Sequence, residues 1–591
     1  MLLLLPTRPR PQAAAGPHAR PHARRFAPTR SIAPEASFDG AAAPEMPWDR
    51  SSFLRGYQTP AEICAREVLC AELPHDLRGT YYRCSPARFV GYDGRKVRQP
   101  FDADGMVSAI SLDGGAGRAV VRQRFVATQG AKEERAAART LYCGQFGNSL
   151  PLWRGGAAIK NLANTNCLYH AGKLLALWEA SRPHLLEPLS LATVKEWDID
   201  GILGHGVTDS FSAHPKVDTR GHLINFAYFG NPITGQTRVR FWEFAADSFS
   251  QRFPTQEYYV PGFGLFHDFA VTDNWLIVMA SPTTWGNGAK PLEAMRDTFR
   301  WVAGKRPVTS MIHFEPSAPT TVRLFPRDPS SGRAPIAIEL DTFFSFHHAN
   351  AYEDEAAGTV TIDTVRTTKL NLGDSGDYAE REDRNTFLME EMDFALDVPR
   401  TDLERYTFNL REKTYTRKPL STRHLEFPTV APSVSTRKHR YVYCTAGGSA
   451  AGVSPHSGVL KVDTADASRS RIWLPPTGHQ FCGEVTFTPR QTGGAAARED
   501  DGYLLTLCFD GRDGTSELLV FDAERVESGP IARVPVSTPD ERLPPDANIP
   551  GPGHGLHATF VAGLSPTLRE VQAAELKQTR LQGFLTSIPL R

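Results

Sequence analysis

The chain has 591 residues, enough for several ordinary domains or one large repetitive one, and its 66 Lys+Arg balance its 66 Asp+Glu. A formal net charge of zero removes the electrostatic footprint of a nucleic-acid binder, so nucleic acid is not an expected partner. The eight cysteines form no CxxC pair, which speaks against zinc knuckles and a secreted disulfide scaffold, and no apolar run approaches the roughly 20 residues of a membrane span.

In chain order, the amino terminus differs in kind from the rest. Met1 to Pro34 holds six arginines (Arg8, Arg10, Arg20, Arg24, Arg25 and Arg30), much Ala and Pro, and no acidic residue. That composition is that of an organelle transit peptide, so residues 1–44 are expected to be a disordered leader and the protein to reside in a plastid; the bland alternative is an untargeted tail in a cytoplasmic protein.

From about Arg50 onward, Gly, Pro, Asp and Asn clusters separate short runs rich in Val, Ile, Phe, Tyr and Thr. Leu174–Trp178, Trp275–Met279, Gly358–Ile362, Arg440–Cys444, Gly502–Cys508 and Ser516–Phe521 all read as strands. No Pro- or Ser-rich linker divides this region, so residues 45–591 are expected to form one all-β unit, either a large sandwich or a β-propeller. Helical signals are few and short. In 291–302, Leu292, Met295, Phe299 and Val302 recur at spacings of three and four, an amphipathic helix whose default role is packing and whose sharper role is peripheral membrane contact. Residues 490–501 read as a polar surface loop.

Of the 18 histidines, four stand in denser local settings: Ala213-His214-Pro-Lys-Val-Asp218, Phe266-His267-Asp-Phe-Ala-Val-Thr272, Phe346-His347-His348-Ala-Asn350 and Gly555-Leu-His557-Ala-Thr-Phe560. They are far too widely spaced for one helix or hairpin. A closed radial fold is what brings such residues together. Imidazole is an acceptable ligand for ferrous iron, and four neutral rings leave about two octahedral positions open for dioxygen or water.

These four segments, in this order, resemble the histidine motifs of the carotenoid cleavage oxygenase family, and further segments match it: Phe101-Asp-Ala-Asp-Gly-Met-Val107, Asn164-Thr-Asn-Cys167, Leu177-Trp-Glu179, Glu426-Phe-Pro428 and Gly483-Glu-Val-Thr-Phe487. The resemblance covers roughly residues 45 to 591. It implies a seven-bladed β-propeller with a helical cap and one central Fe(II) held by His214, His267, His347 and His557. In the family's pattern Asn follows the third ligand by three residues, which selects His347 over His348, and the same comparison selects His557 over His554. The resemblance assigns Glu179, Glu426 and Glu484 to the outer ring nitrogens of the ligands, leaves Glu353 structural, and places Trp178 and Phe346 on a substrate tunnel. It assigns no side chain as acid, base or nucleophile.

The implied activity is cleavage of a carbon–carbon double bond in a carotenoid or apocarotenoid by O2, giving two carbonyl products, with no obligate protein partner. Within 124–134, stilbene-cleaving members tend to carry a Lys two residues after the Thr, where this chain has Gly130, although Lys132 is close by. A stilbene-cleaving dioxygenase is therefore the alternative, and a non-catalytic propeller that binds a hydrophobic ligand is the alternative from another class. Ala103, Cys84-Ser85 and Ala558 depart from the usual pattern, and Ala558 is expected to narrow the channel beside the metal.

Overall fold

A strand with apolar side chains on both faces needs a sheet stacked against each face, and this chain meets that need seven times around a ring. The computed structural model describes residues 45–587, apart from 148–149, 152, 154–158, 205, 207–208, 232–233, 287–290, 371–392, 492–497 and 538–550. The leader at 1–44 and the middle of the 490–501 loop thus lie outside the described residues. The six strand-like runs named above all coincide with strands to within one residue at an end.

Seven antiparallel sheets of four or five strands form the blades of a β-propeller. The first is built in the order Ile63–Leu69, Arg118–Phe125, Asp104–Asp113, Arg78–Arg88, Ala558–Ala562, so its innermost strand comes from the far end of the chain. Backbone pairing from Gly79↔Ala562 to Arg83↔Ala558 closes the ring. The innermost strands of the next five blades are Asn166–His170, Lys216–Val217, Ala270–Val271, His348–Asp354 and Leu425–Thr429, and the seventh presents two short pieces, Gln480–Cys482 and Thr486–Pro489.

Seven apolar clusters fill the gaps, one between each neighbouring pair of blades. Ile110 and Val121 of the first blade meet Leu505 and Val520 of the seventh, and Ile277 and Leu324 of the fourth meet Val360 and Ile362 of the fifth. This is why Trp275–Met279 is a continuous apolar run rather than an alternating one: both of its faces are covered. Fully burying a Val, Leu or Phe side chain contributes about 1.5–3 kcal/mol, so each gap is strongly held.

Helices are few, but one corrects the expectation that all are short. Leu568–Ser587 spans 20 residues and packs on the outer strand Ile63–Leu69. Its apolar positions make no continuous stripe, with Val571 buried and Leu576 mostly exposed, which is why periodicity did not announce it. The helix Pro291–Val302 forms where its spacing predicts. Its stripe is not packed, however: Leu292, Met295 and Phe299 are 81%, 70% and 70% exposed, and the helix is anchored at its end by Trp301, edge-on to Trp285 at 6.1 Å. All eight cysteines are free thiols.

Candidate metal centre

Each of the four histidines sits just ahead of the innermost strand of a blade. His214 precedes Lys216–Val217, His267 precedes Ala270–Val271, His347 precedes His348–Asp354, and His557 precedes Ala558–Ala562. Their ring nitrogens lie within 4.8 Å of one another. The His214 ring centroid is 4.2 Å from that of His267, 4.7 Å from His557 and 5.1 Å from His347.

Three of the rings are held from behind by carboxylates. Nδ1 of His267 donates to Glu179 at 2.8 Å, Nδ1 of His347 to Glu426 at 2.6 Å, and Nδ1 of His557 to Glu484 at 2.8 Å. An ionised carboxylate only accepts, so the ring proton is on Nδ1 and Nε2 keeps its lone pair. Hydrogen bonds to a charged group are worth about 1.5–3 kcal/mol each, enough to fix tautomer and orientation. Two of the carboxylates are themselves oriented by main chain, Glu426 by the Phe427 N–H at 2.7 Å and Glu484 by the Ala558 N–H at 2.6 Å. His214 has no such partner: its Nδ1 is buried without a hydrogen bond and its Nε2 faces Nε2 of His557 at 3.0 Å.

Burial drives the pKa of His214 and of His347 well below the ordinary histidine value, so both are neutral. At His267 burial acts the same way, but the Glu179 carboxylate outweighs it and the pKa rises. Burial pushes Glu426 up to about 7. The Nε2 of His347 is buried with no protein partner. Four converging buried ring nitrogens, one of them without a partner among the described residues, fit a bound metal ion, and the donor set suits ferrous iron among others.

The neighbours that competed for these roles are tied elsewhere. His348 Nδ1 pairs with Thr364 at 2.7 Å and its amide donates to Asp268 at 2.9 Å. His554 Nε2 donates to the Phe53 carbonyl at 2.8 Å, and Glu353 accepts from Asn274 at 2.8 and 3.0 Å.

A family model described as retinal pigment epithelial membrane protein (RPE65) matches residues 57–560. The apocarotenoid-15,15'-oxygenase of Synechocystis is 33% identical over 517 residues, covering 85% of this chain and 95% of that one. The chain belongs to this carotenoid oxygenase family. Carotenoid 9,10(9',10')-cleavage dioxygenase 1 of Phaseolus vulgaris is 28% identical over 83% of this chain and 85% of its own, and resveratrol cleavage oxygenase 1 of Aspergillus fumigatus is 27% identical over 80% and 89%. Among solved structures, cobalt-substituted Synechocystis apocarotenoid oxygenase superposes with a TM-score of 0.74 at 29% identity, covering 87% of this chain and 99% of that one.

Within this carotenoid oxygenase, Trp178 is buried next to Glu179, while Phe346 is half-buried and edge-on to His267 at 5.3 Å. Two further residues touch the four-histidine cluster and were not singled out above. The Phe427 ring lies 5.4 Å from His347 and 5.3 Å from His557, on a backbone with φ of +53°. Such a φ is strained for an aromatic residue and is found where the surroundings over-determine it. Thr165 accepts the His557 amide through its carbonyl at 3.1 Å. Both lie in the matched segments, but only the resemblance draws notice to those segments, and it named other residues in them.

Proposed function

We propose that the protein is a non-haem iron(II) dioxygenase that cleaves a double bond of a carotenoid or apocarotenoid. The observation that carries this reading is the convergence of four imidazoles, three of them braced through Nδ1 by Glu179, Glu426 and Glu484. Held by His214, His267, His347 and His557, a ferrous ion supplies the O2 chemistry that the side chains lack.

The chain's own residues do the rest. The three glutamates fix which ring nitrogen faces the ion and keep each ring from turning. Trp178, Phe346 and Phe427 give the site apolar walls that seat a polyene and exclude water from its reacting bond. Ala558, whose amide is tied to Glu484, sets a methyl beside the fourth histidine and limits the girth of the substrate there.

The stilbene alternative is disfavoured by one local arrangement. Gly130 is buried, with Lys160 packed where a side chain would go, and Lys160 is itself committed to Asp104 at 2.8 Å and Glu134 at 2.5 Å. Lys132 is exposed on the helix Gln129–Ala137. No lysine is thus presented from this segment to a phenolic oxygen.

The exposed apolar face of Pro291–Val302 supports peripheral membrane contact, because an apolar substrate is dissolved in lipid. Trp153, 71% exposed, and the exposed cations Arg296 and Lys305 suit the headgroup layer. The Arg-rich leader, with no acidic residue from Met1 to Pro34, supports delivery to a plastid, and a fluorescent fusion of residues 1–44 tests it.

The deciding experiment incubates the iron-loaded protein with β-carotene, apocarotenals and resveratrol and identifies the aldehydes by mass. Cleavage of a carotenoid or apocarotenoid, lost in His267→Ala, is the expected result. Turnover of resveratrol alone would replace the substrate assignment, and a protein that never holds iron would overturn the enzyme assignment.

A further inference from the structure

Arg83, in the first-blade strand Arg78–Arg88, is 2% exposed. Other buried arginines have obvious partners. Arg327 meets Asp218 and Glu243, Arg122 meets Ser111 and the Pro188 carbonyl, and Arg423 meets the carbonyls of Gly447 and Gly448. Among the described residues the Nε of Arg83 has no hydrogen-bond partner, and the carboxylate whose field it feels is that of Glu484. Burial lowers its pKa, yet a guanidinium does not lose its proton in a folded protein, so the charge stays.

The space around this charge is shaped by two glycines. A Cβ on Gly483 would lie 2.4 Å from Nη2, and one on Gly555 would lie 2.5 Å from Nε and 2.7 Å from Cζ. A side chain at either position would displace the guanidinium, and at Gly555 the Ser85 hydroxyl as well. Gly483 immediately precedes Glu484, Gly555 lies two residues before His557, and Arg83 itself pairs with Ala558 across the sheet. One guanidinium is therefore clasped by both segments that deliver the fourth histidine and its glutamate.

Four neutral imidazoles, three carboxylates and a doubly charged ion leave a buried site one negative charge in excess, and unbalanced buried charge is costly. Lys216 does not correct this, because it is already paired with Asp268 at 2.8 Å. We infer that Arg83 is a positioning residue of the metal centre: its charge, seated between Gly483 and Gly555 behind the Glu484–His557 pair, balances the site around a ferrous ion and makes the ferric ion harder to form. This rests on the reading of the site as an iron centre.

The test loads wild-type protein, Arg83→Met, Arg83→Gln and Arg83→Lys with Fe(II) under argon and poises each with ferricyanide and ferrocyanide. One electron passes from each oxidised iron to ferricyanide, and the ferric fraction is read by electron paramagnetic resonance. At one poise the ferric-to-ferrous ratio should rise roughly tenfold in Arg83→Met, the order of effect expected for removing one buried unit charge near the ion at an effective dielectric of about 20, while Arg83→Lys stays near wild type. Arg83→Met keeps most of the side-chain volume, and Arg83→Gln gives a second neutral variant should the loss of a buried charge keep the first from folding. Adding Glu484→Gln to either should return the ratio toward wild type, because one negative charge leaves with the positive one. Equal ratios in wild type and the neutral variants, or an equal shift in Arg83→Lys, would overturn the inference while leaving the iron reading intact. A wild-type protein that takes up no ferrous ion would instead sink the iron reading, and the inference with it.

Discussion

His214 and His557 hold their Nε2 atoms 3.0 Å apart. The Nδ1 proton of His557 is committed to Glu484, so its Nε2 brings a lone pair to this contact. Two nitrogens at right angles on one ion, with bonds of about 2.1 Å, stand roughly 3 Å apart, so the contact has the spacing of two ligands. A proton on His214 Nε2 satisfies the pair when no ion is bound. Binding an ion moves that proton to Nδ1, which has no acceptor.

His214→Ala, His267→Ala, His347→Ala and His557→Ala should therefore each lower bound metal by more than tenfold. His348→Ala and His554→Ala should keep the metal and instead lose about 1–3 kcal/mol of stability, from the partners left unpaired at Thr364 and Phe53. Metal analysis alongside urea denaturation separates the two groups. Retention of metal by all four of the first set would refute the assignment.

Metal binding should release a proton below about pH 7. The buried Glu426 carboxyl, raised to about 7, is protonated below that pH in the metal-free protein, and the entering ion must displace the proton. Affinity then falls as the pH drops through 7 and levels off above it. In Glu426→Gln the slope should flatten and affinity should drop by about 10–100-fold. Calorimetry in buffers of different ionisation enthalpy measures the proton directly.

Acid should destabilise the fold well before its surface carboxylates titrate. His184 is buried with an unpartnered Nδ1, and burial depresses its pKa to about 4. The unfolded chain takes up this proton as the pH falls through about 6.5, whereas the folded chain does not until about 4, so stability is lost across that window. The cost at pH 5 is about 1–2 kcal/mol for this residue. The loss of denaturation midpoint between pH 7 and 5 should be smaller in His184→Leu than in wild type.

Charged substitutions on the exposed helix should abolish vesicle binding without touching the fold. Met295→Glu with Phe299→Glu removes two side chains whose burial in lipid is worth about 1.5–3 kcal/mol each, so co-sedimentation with vesicles should fall by more than tenfold. Unchanged sedimentation would return this face to ordinary solvent.

The strands were legible because turn residues bracket each of them, and the family pattern named four histidines and three glutamates that the blades then bring together. What pattern could not supply was context. The pairing of Arg83 with Ala558 joins the two ends of the chain, and nothing local in either segment announces a partner so distant. The stripe of Leu292, Met295 and Phe299 reads the same whether a core or a bilayer covers it. The left-handed turn at Phe427 is a property of the cage around it rather than of a phenylalanine followed by proline.

The strand that completes the first blade also carries the last histidine to its neighbours, and both come from the final stretch of the chain. A ribosome working from the amino end has made six blades and most of a seventh before His557 exists. A metal ion cannot be captured by all four histidines in a polypeptide that stops short of His557. A product terminated before His557 is left with an open ring and three histidines.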